Sequence, residues 1–189
     1  MPIGLFIDHR YLYNVVGRQK TDYFKLRNFV EKELNDIVDE GYFFNADDDK
    51  DAAAKLHSAL SFPPPNGPGL RVKTYWLQKR PLFWPDKTPV MHPTKQNFQY
   101  ELTTRKAVDV GLVYHMTRSF MNRKWDKLVL IAGDGDFYEP VQGLVEQYNV
   151  DLYIMGSIIS VSDELKPYAR KIYEMDKEPL LTSLAYTKN

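Results

Sequence analysis

Near the start, Ile3-Gly4-Leu5-Phe6-Ile7 run apolar without interruption and stop on Asp8. A short unbroken apolar run closed by a polar residue predicts a strand buried on both faces. After a short link, Leu26, Phe29, Val30, Leu34 and Ile37 recur at helical spacing, predicting an amphipathic helix over about 22–39. Gly41-Tyr42-Phe43-Phe44 predicts a second strand. The run Asp47-Asp48-Asp49-Lys50-Asp51 then leads into a helix over 52–60, whose positive end it caps. That run lacks the glycine and the later glutamate of an EF-hand loop. Phe62-Pro63-Pro64-Pro65-Asn66-Gly67-Pro68-Gly69 continues neither a helix nor a sheet interior, so it predicts a surface connection.

Residues 70–77 alternate as a third strand, after which Pro81, Pro85, Pro89 and Pro93 impose hairpin-like or irregular structure to about 99. Val108, Leu112, Met116 and Phe120 mark a helix over 107–122. Residues 128–131 are too uniformly apolar for a half-exposed strand and predict one in mid-sheet. A helix over 137–148, a strand over 150–155, a short helix near 162–169 and a strand over 171–174 follow. Strands alternating with helices predict an α/β fold, a mostly parallel sheet flanked by helices on both faces.

Composition narrows the chemistry. The 189 residues suit one domain, predicted over 1–176 with an insertion at about 79–98 and a tail at 177–189. There is no cysteine, which excludes disulfides, thiolate zinc sites and cysteine nucleophiles. No run of about 20 apolar residues predicts a membrane span, and a cytoplasmic protein is expected. Twenty-five basic residues balance 25 acidic ones, so no global field draws the chain to nucleic acid. Locally, Arg71, Lys73, Lys79, Arg80, Lys87, Lys95, Arg105 and Lys106 face only Asp86 and Glu101. Tyr75, Trp76, Phe83, Trp84, Phe98 and Tyr100 are interleaved with them. Cations for phosphates beside aromatic faces for bases suit a single-stranded nucleic acid. The 79–98 segment is equally open to docking a second subunit, a homo-oligomer.

In parallel sheets, sites form at the carboxyl ends of strands. Asp8 closes the first strand; Asp134 and Asp136 follow the 128–131 strand; Asp109 stands at the start of a predicted helix. Each could simply cap a neighbouring segment. Together they predict a cluster whose mutual repulsion a divalent cation relieves, and oxygen ligands without cysteine favour Mg²⁺ or Mn²⁺ over zinc. Such a site suits phosphodiester hydrolysis. A dinucleotide enzyme is set aside for lack of a Gly-x-Gly-x-x-Gly after the first strand. An aspartyl phosphatase is disfavoured by Arg10, where a second aspartate is wanted.

Leu5-Phe6-Ile7-Asp8 with Leu12-Tyr13, then Lys106-Ala107-Val108-Asp109-Val110-Gly111-Leu112, then Leu128 through Phe137 with its Gly133-Asp134-Gly135-Asp136, and Ser162-Asp163-Glu164-Leu165 follow one another in order. This set resembles the NYN domain of the PIN-like ribonuclease superfamily, in particular its LabA-like branch. The resemblance implies a three-layer, PIN-like fold and metal-dependent cleavage of RNA. By motif position it implies Asp8, Asp109, Asp134 and Asp136 as metal-binding, catalytic carboxylates, with Arg10 and Lys106 on substrate phosphates. The chain departs from the family at Tyr11, which replaces an asparagine, at His115, which replaces a second helix aspartate, and at Arg170. His115 fits a core or outer-shell position. The departures leave open a degenerate module that binds RNA or a protein without cutting.

Overall fold

The computed structural model describes residues 2–95, 97–104, 107–123 and 125–187. In β1 (Ile3–Asp8) every side chain up to Ile7 is buried. A helix unforeseen in the hydrophobic pattern, α1 (His9–Val15), follows at once. Asp22 caps α2 (Tyr23–Leu34) by accepting from the amides of Phe24 and Lys25, and Asn35 in the left-handed region (φ 48°) ends it. The helix therefore stops short of the expected 39, Ile37 is 67% exposed, and β2 (Val38–Asp47) begins. That strand starts ahead of 41 because Glu40, 2% exposed, is paired with Arg71 and Arg123 from distant parts of the chain, and it runs past 44 because residues 45–47 pair with 74–76.

Asp49 caps α3 (Lys50–Ser61) through the amides of Asp51 and Ala52, at 2.9 and 3.0 Å, as the acidic run predicts. Next come β3 (Arg71–Trp76) and an antiparallel pair, β4 (Gln78–Pro81) with β5 (Glu101–Thr104). Bridges Phe83–Pro89 and Met91–Gln99 lie between these two strands, so the proline-rich segment is hairpin-like. The stripe of α4 (Val108–Arg123) is buried at Val108, Leu112, Met116 and Phe120. After β6 (Lys127–Ile131), α5 (Tyr138–Tyr148) and β7 (Asp151–Gly156), the expected helix near 162–169 shrinks to a 3₁₀ turn, Lys166–Tyr168. Pro167 has no amide hydrogen with which to continue an α-helical ladder. β8 (Ala169–Glu174) and α6 (Leu180–Ser183) follow.

The main sheet has the order β3-β2-β1-β6-β7-β8, and every neighbouring pair is parallel. One face packs Phe6, Leu128, Leu130 and Trp125 against the α4 stripe and Val141 and Leu144 of α5. The other packs Ile3, Leu5, Ile7, Val129 and Ile131 against Leu12 of α1 and Leu26 and Val30 of α2. This is the expected three-layer, PIN-like arrangement. From β1 the chain moves outward to β3, then returns to place β6 on the other side of β1. Connections thus diverge at the carboxyl ends of β1 and β6, which opens a crevice there. Among the described residues no helix is long and apolar enough to cross a membrane.

Candidate active site

Asp8 ends β1 at this crevice. Its Oδ1 accepts from the amides of Arg10 (2.8 Å) and Tyr11 (3.2 Å), which caps α1. Both bonds fall on one oxygen of a group with about four acceptor positions, so capping fixes the carboxylate and leaves Oδ2 available. Asp134 repeats the arrangement beyond β6. It caps the 3₁₀ turn Gly135–Phe137, its Oδ1 accepting from Asp136 N at 3.1 Å. Asp136 does not cap α5, whose N-cap position is Phe137 with no side-chain bond. Asp109 lies inside the first turn of α4, at the positive end of that helix.

The electrostatics tie these groups together. Burial raises the pKa of Asp109 above the usual carboxylate range, and the charges of Asp8, Asp134 and Asp136 each raise it further. Asp109 therefore lies within electrostatic range of acids from two other connections. Burial also raises the pKa of Asp8, against the lowering by its two amide bonds and by nearby His9 and Arg10. The all-oxygen donor set is of the kind that fits a hard cation. Among the described residues no three His, Asp or Glu side chains stand close enough to form a ready cage. Mg²⁺ asks for less: it keeps several waters and is held by one or two carboxylates with substrate phosphate. The residues fit such a loosely held ion.

Two clefts flank Asp8 and share it with Arg10 and Asn14. One, about 480 Å³, extends to Asn45 and Asp47 at the end of β2. The other, about 570 Å³, extends to Asp134, Ser157 and Asp176. Asp176 Oδ1 is buried without a hydrogen-bond partner, a donor atom left for water or a cation. Arg10 is exposed at the junction of the clefts.

Sequence reasoning missed Asn14, Asp47 and Asp176. Asp47 is absorbed in the capping run, although its place at a strand end marked it. Asn14 lies one turn beyond Tyr11, on the helix that the pattern did not reveal. Tyr11 lines the second cleft and reaches past Gly156 at the end of β7, its hydroxyl 2.8 Å from Ser160 Oγ. Asp176 had no signal beyond lying two residues past β8. His115 stacks on Tyr42 (5.3 Å, 26°) and lines a different recess with Glu40 and Lys73, two turns along α4 from Asp109. Lys106 lies outside the described residues.

The sequence profile described as NYN domain matches residues 2–176, nearly the whole chain. The chain belongs to the NYN domain family. That places it in the PIN-like nuclease superfamily, whose NYN nucleases typically depend on divalent metal. A crystal structure of a protein of unknown function from Vibrio parahaemolyticus RIMD 2210633 is similar to this NYN domain, with TM-score 0.62 and 17% identity. The match covers 98% of this chain and 96% of that one, and it supports the fold alone. No functionally curated protein matches the chain.

Proposed function

We propose that this NYN domain is a metal-dependent endoribonuclease of the LabA-like branch, using Asp8, Asp109, Asp134 and Asp136 to hold Mg²⁺ or Mn²⁺. The carrying observation is that amides pin Asp8 and Asp134 at the carboxyl ends of β1 and β6 while Asp109 opens α4 nearby, where burial first, and then the charges of Asp8, Asp134 and Asp136, raise its pKa. Capping accounts for one oxygen each of Asp8 and Asp134, and the repulsion that remains among the acids is relieved by a cation. The bound ion would supply an acidified water and neutralise charge building on the phosphate. The chain's own part is to hold carboxylate oxygens in place. Backbone amides pin one oxygen each of Asp8 and Asp134, so both enter the reaction already oriented. Arg10, at the junction of the two clefts, donates to a non-bridging phosphate oxygen. Lys106 serves the same strand.

The test is cleavage of labelled single-stranded and hairpin RNA with Mg²⁺ or Mn²⁺. Wild type cleaves; Asp8→Asn and Asp134→Asn lose at least about 100-fold, the scale of removing one preorganised electrostatic group. A wild type inert on every RNA with both metals refutes the proposal. A second reading, an RNA-binding module without cleavage, draws support from Tyr11 in place of asparagine and His115 in place of a second helix aspartate. Calorimetric titration of Mn²⁺ separates the two. Heat that disappears in Asp136→Asn supports the nuclease, and no heat in either protein supports the module.

A further inference from the structure

The recess that holds His115 is a separate, strongly cationic groove of about 540 Å³ between edge strand β3 and α4. Period-two alternation turns Arg71, Lys73 and Tyr75 towards α4, while Val72 goes to the opposite core. At its floor, Glu40 receives two guanidiniums, one from each wall. Arg123 Nε donates to Oε1 at 3.1 Å, and Arg71 Nη1 forms an ion pair with Oε2 at 2.8 Å. Both arginine side chains stay more than half exposed, at 54% and 55%, so most of their donors remain for a ligand. Lys73 and Arg118 complete the lining with no acidic partner among the described residues; Arg118 Nη1 donates only to the Tyr114 hydroxyl, at 2.8 Å. The groove carries three positive charges in excess.

We infer that this groove binds the phosphodiester backbone of single-stranded RNA leaving the aspartate crevice, with Lys73 and Arg118 on its phosphates and Arg71 and Arg123 fixed as forks by Glu40. The inference rests on the nuclease reading only for the direction of the strand. The two sites share α4: Asp109 is in its first turn and Arg118 nine residues on, about 13 Å along the axis. Between them Tyr75 closes against α4 at Gly111, where any Cβ would overlap its hydroxyl, so a strand joining the two sites crosses over Tyr75. Tyr114, 52% exposed beneath Arg118, offers a base a stacking face. A buried carboxylate that anchors two half-exposed arginines is a device for presenting planar donor forks, which match phosphate oxygens.

The experiment measures fluorescence anisotropy of a fluorescein-labelled twelve-residue oligouridylate in EDTA, across a salt titration, with the full chain. Lys73→Gln/Arg118→Gln breaks no ion pair, and its thermal unfolding is checked against wild type. Losing two phosphate contacts lowers the steepness of log K against log salt by about 1.4 and weakens binding about 25-fold at 0.1 M salt. An unchanged slope in the double variant overturns the groove, as does a wild type that does not bind the oligouridylate. So does a polyglutamate peptide that binds wild type more tightly than the oligouridylate and loses affinity in the variant, which assigns the groove to an acidic protein segment. Cleavage is assayed separately with Mn²⁺. Cleavage with an unchanged slope sinks the groove and spares the nuclease, whereas a reduced slope without cleavage does the reverse.

Discussion

Replacing Gly156 by alanine tests how Tyr11 holds the crevice together. Tyr11 donates its amide to Asp8, sends its ring between Gly133 after β6 and Gly156 at the end of β7, and shares a hydrogen bond with Ser160. A Cβ on Gly156 would overlap Tyr11 Oη and sit 3.0 Å from both Cε1 and Cζ; those are its three nearest atoms. The ring cannot simply withdraw, because helix α1 and the Ser160 bond fix both ends. Overpacking of this kind costs about 1–3 kcal/mol. Alanine returns about 0.5 kcal/mol by restricting the unfolded chain, so Gly156→Ala should destabilise by roughly 1–2 kcal/mol, each kcal/mol lowering Tm by about 2–4 °C. Tyr11→Phe removes the overlapping atom and one hydrogen bond, at about 0.5–1.5 kcal/mol. If the clash is as described, the double variant is less damaged than the two single losses together by about 1 kcal/mol, a coupling that neighbours in contact show. Urea unfolding of the four proteins measures it. Strict additivity would refute the wedge, and a neutral Gly156→Ala would refute the close approach itself.

Asp109→Asn should stabilise the metal-free protein by about 0.5–2 kcal/mol, as removing a strained functional group commonly does, while abolishing the Tm rise expected of wild type with Mn²⁺; a lower metal-free Tm contradicts the repulsion at the crevice. The pKa values of Asp8 and Asp109 are both raised above 3.8 in the folded state, so over the range above 3.8 the folded protein binds more protons than the unfolded chain. Their contribution to stability is therefore greatest below 3.8 and is lost as pH rises through the folded values. Metal-free wild type minus the Asp8→Asn/Asp109→Asn variant, followed by urea midpoint from pH 4 to 8, should show that decline, and a flat difference excludes it. Glu40→Gln should cost about 1–2 kcal/mol, near the value of hydrogen bonds to charged groups. It should fall short of the 3–5 kcal/mol of a wholly buried pair, because the arginines left behind reach water; a urea-measured loss above about 3 kcal/mol would show that they do not.

The elements that set the site were legible where burial is uniform along a segment. β1 and β6 read as central strands because unbroken apolar runs can be satisfied only with both faces covered, and α4 showed its stripe at every turn. Their ends placed Asp8, Asp109, Asp134 and Asp136 at element boundaries. What stayed hidden depended on residues remote in sequence. Glu40 looks like a solvent residue until Arg71 and Arg123 arrive from 31 and 83 positions away, and so the first three residues of β2 were lost. Seven-residue α1 was too short to display a period, and with it went the positions of Tyr11 and Asn14. The choice between capping and clustering was likewise beyond local pattern. Amide bonds at Asp8 and Asp134 are set by the next three residues, whereas the charges acting on Asp109 depend on strand order. A chain's periodicity reports which face of each segment avoids water; only the assembled sheet, by putting β6 beside β1, determines which carboxylates come within range of one another.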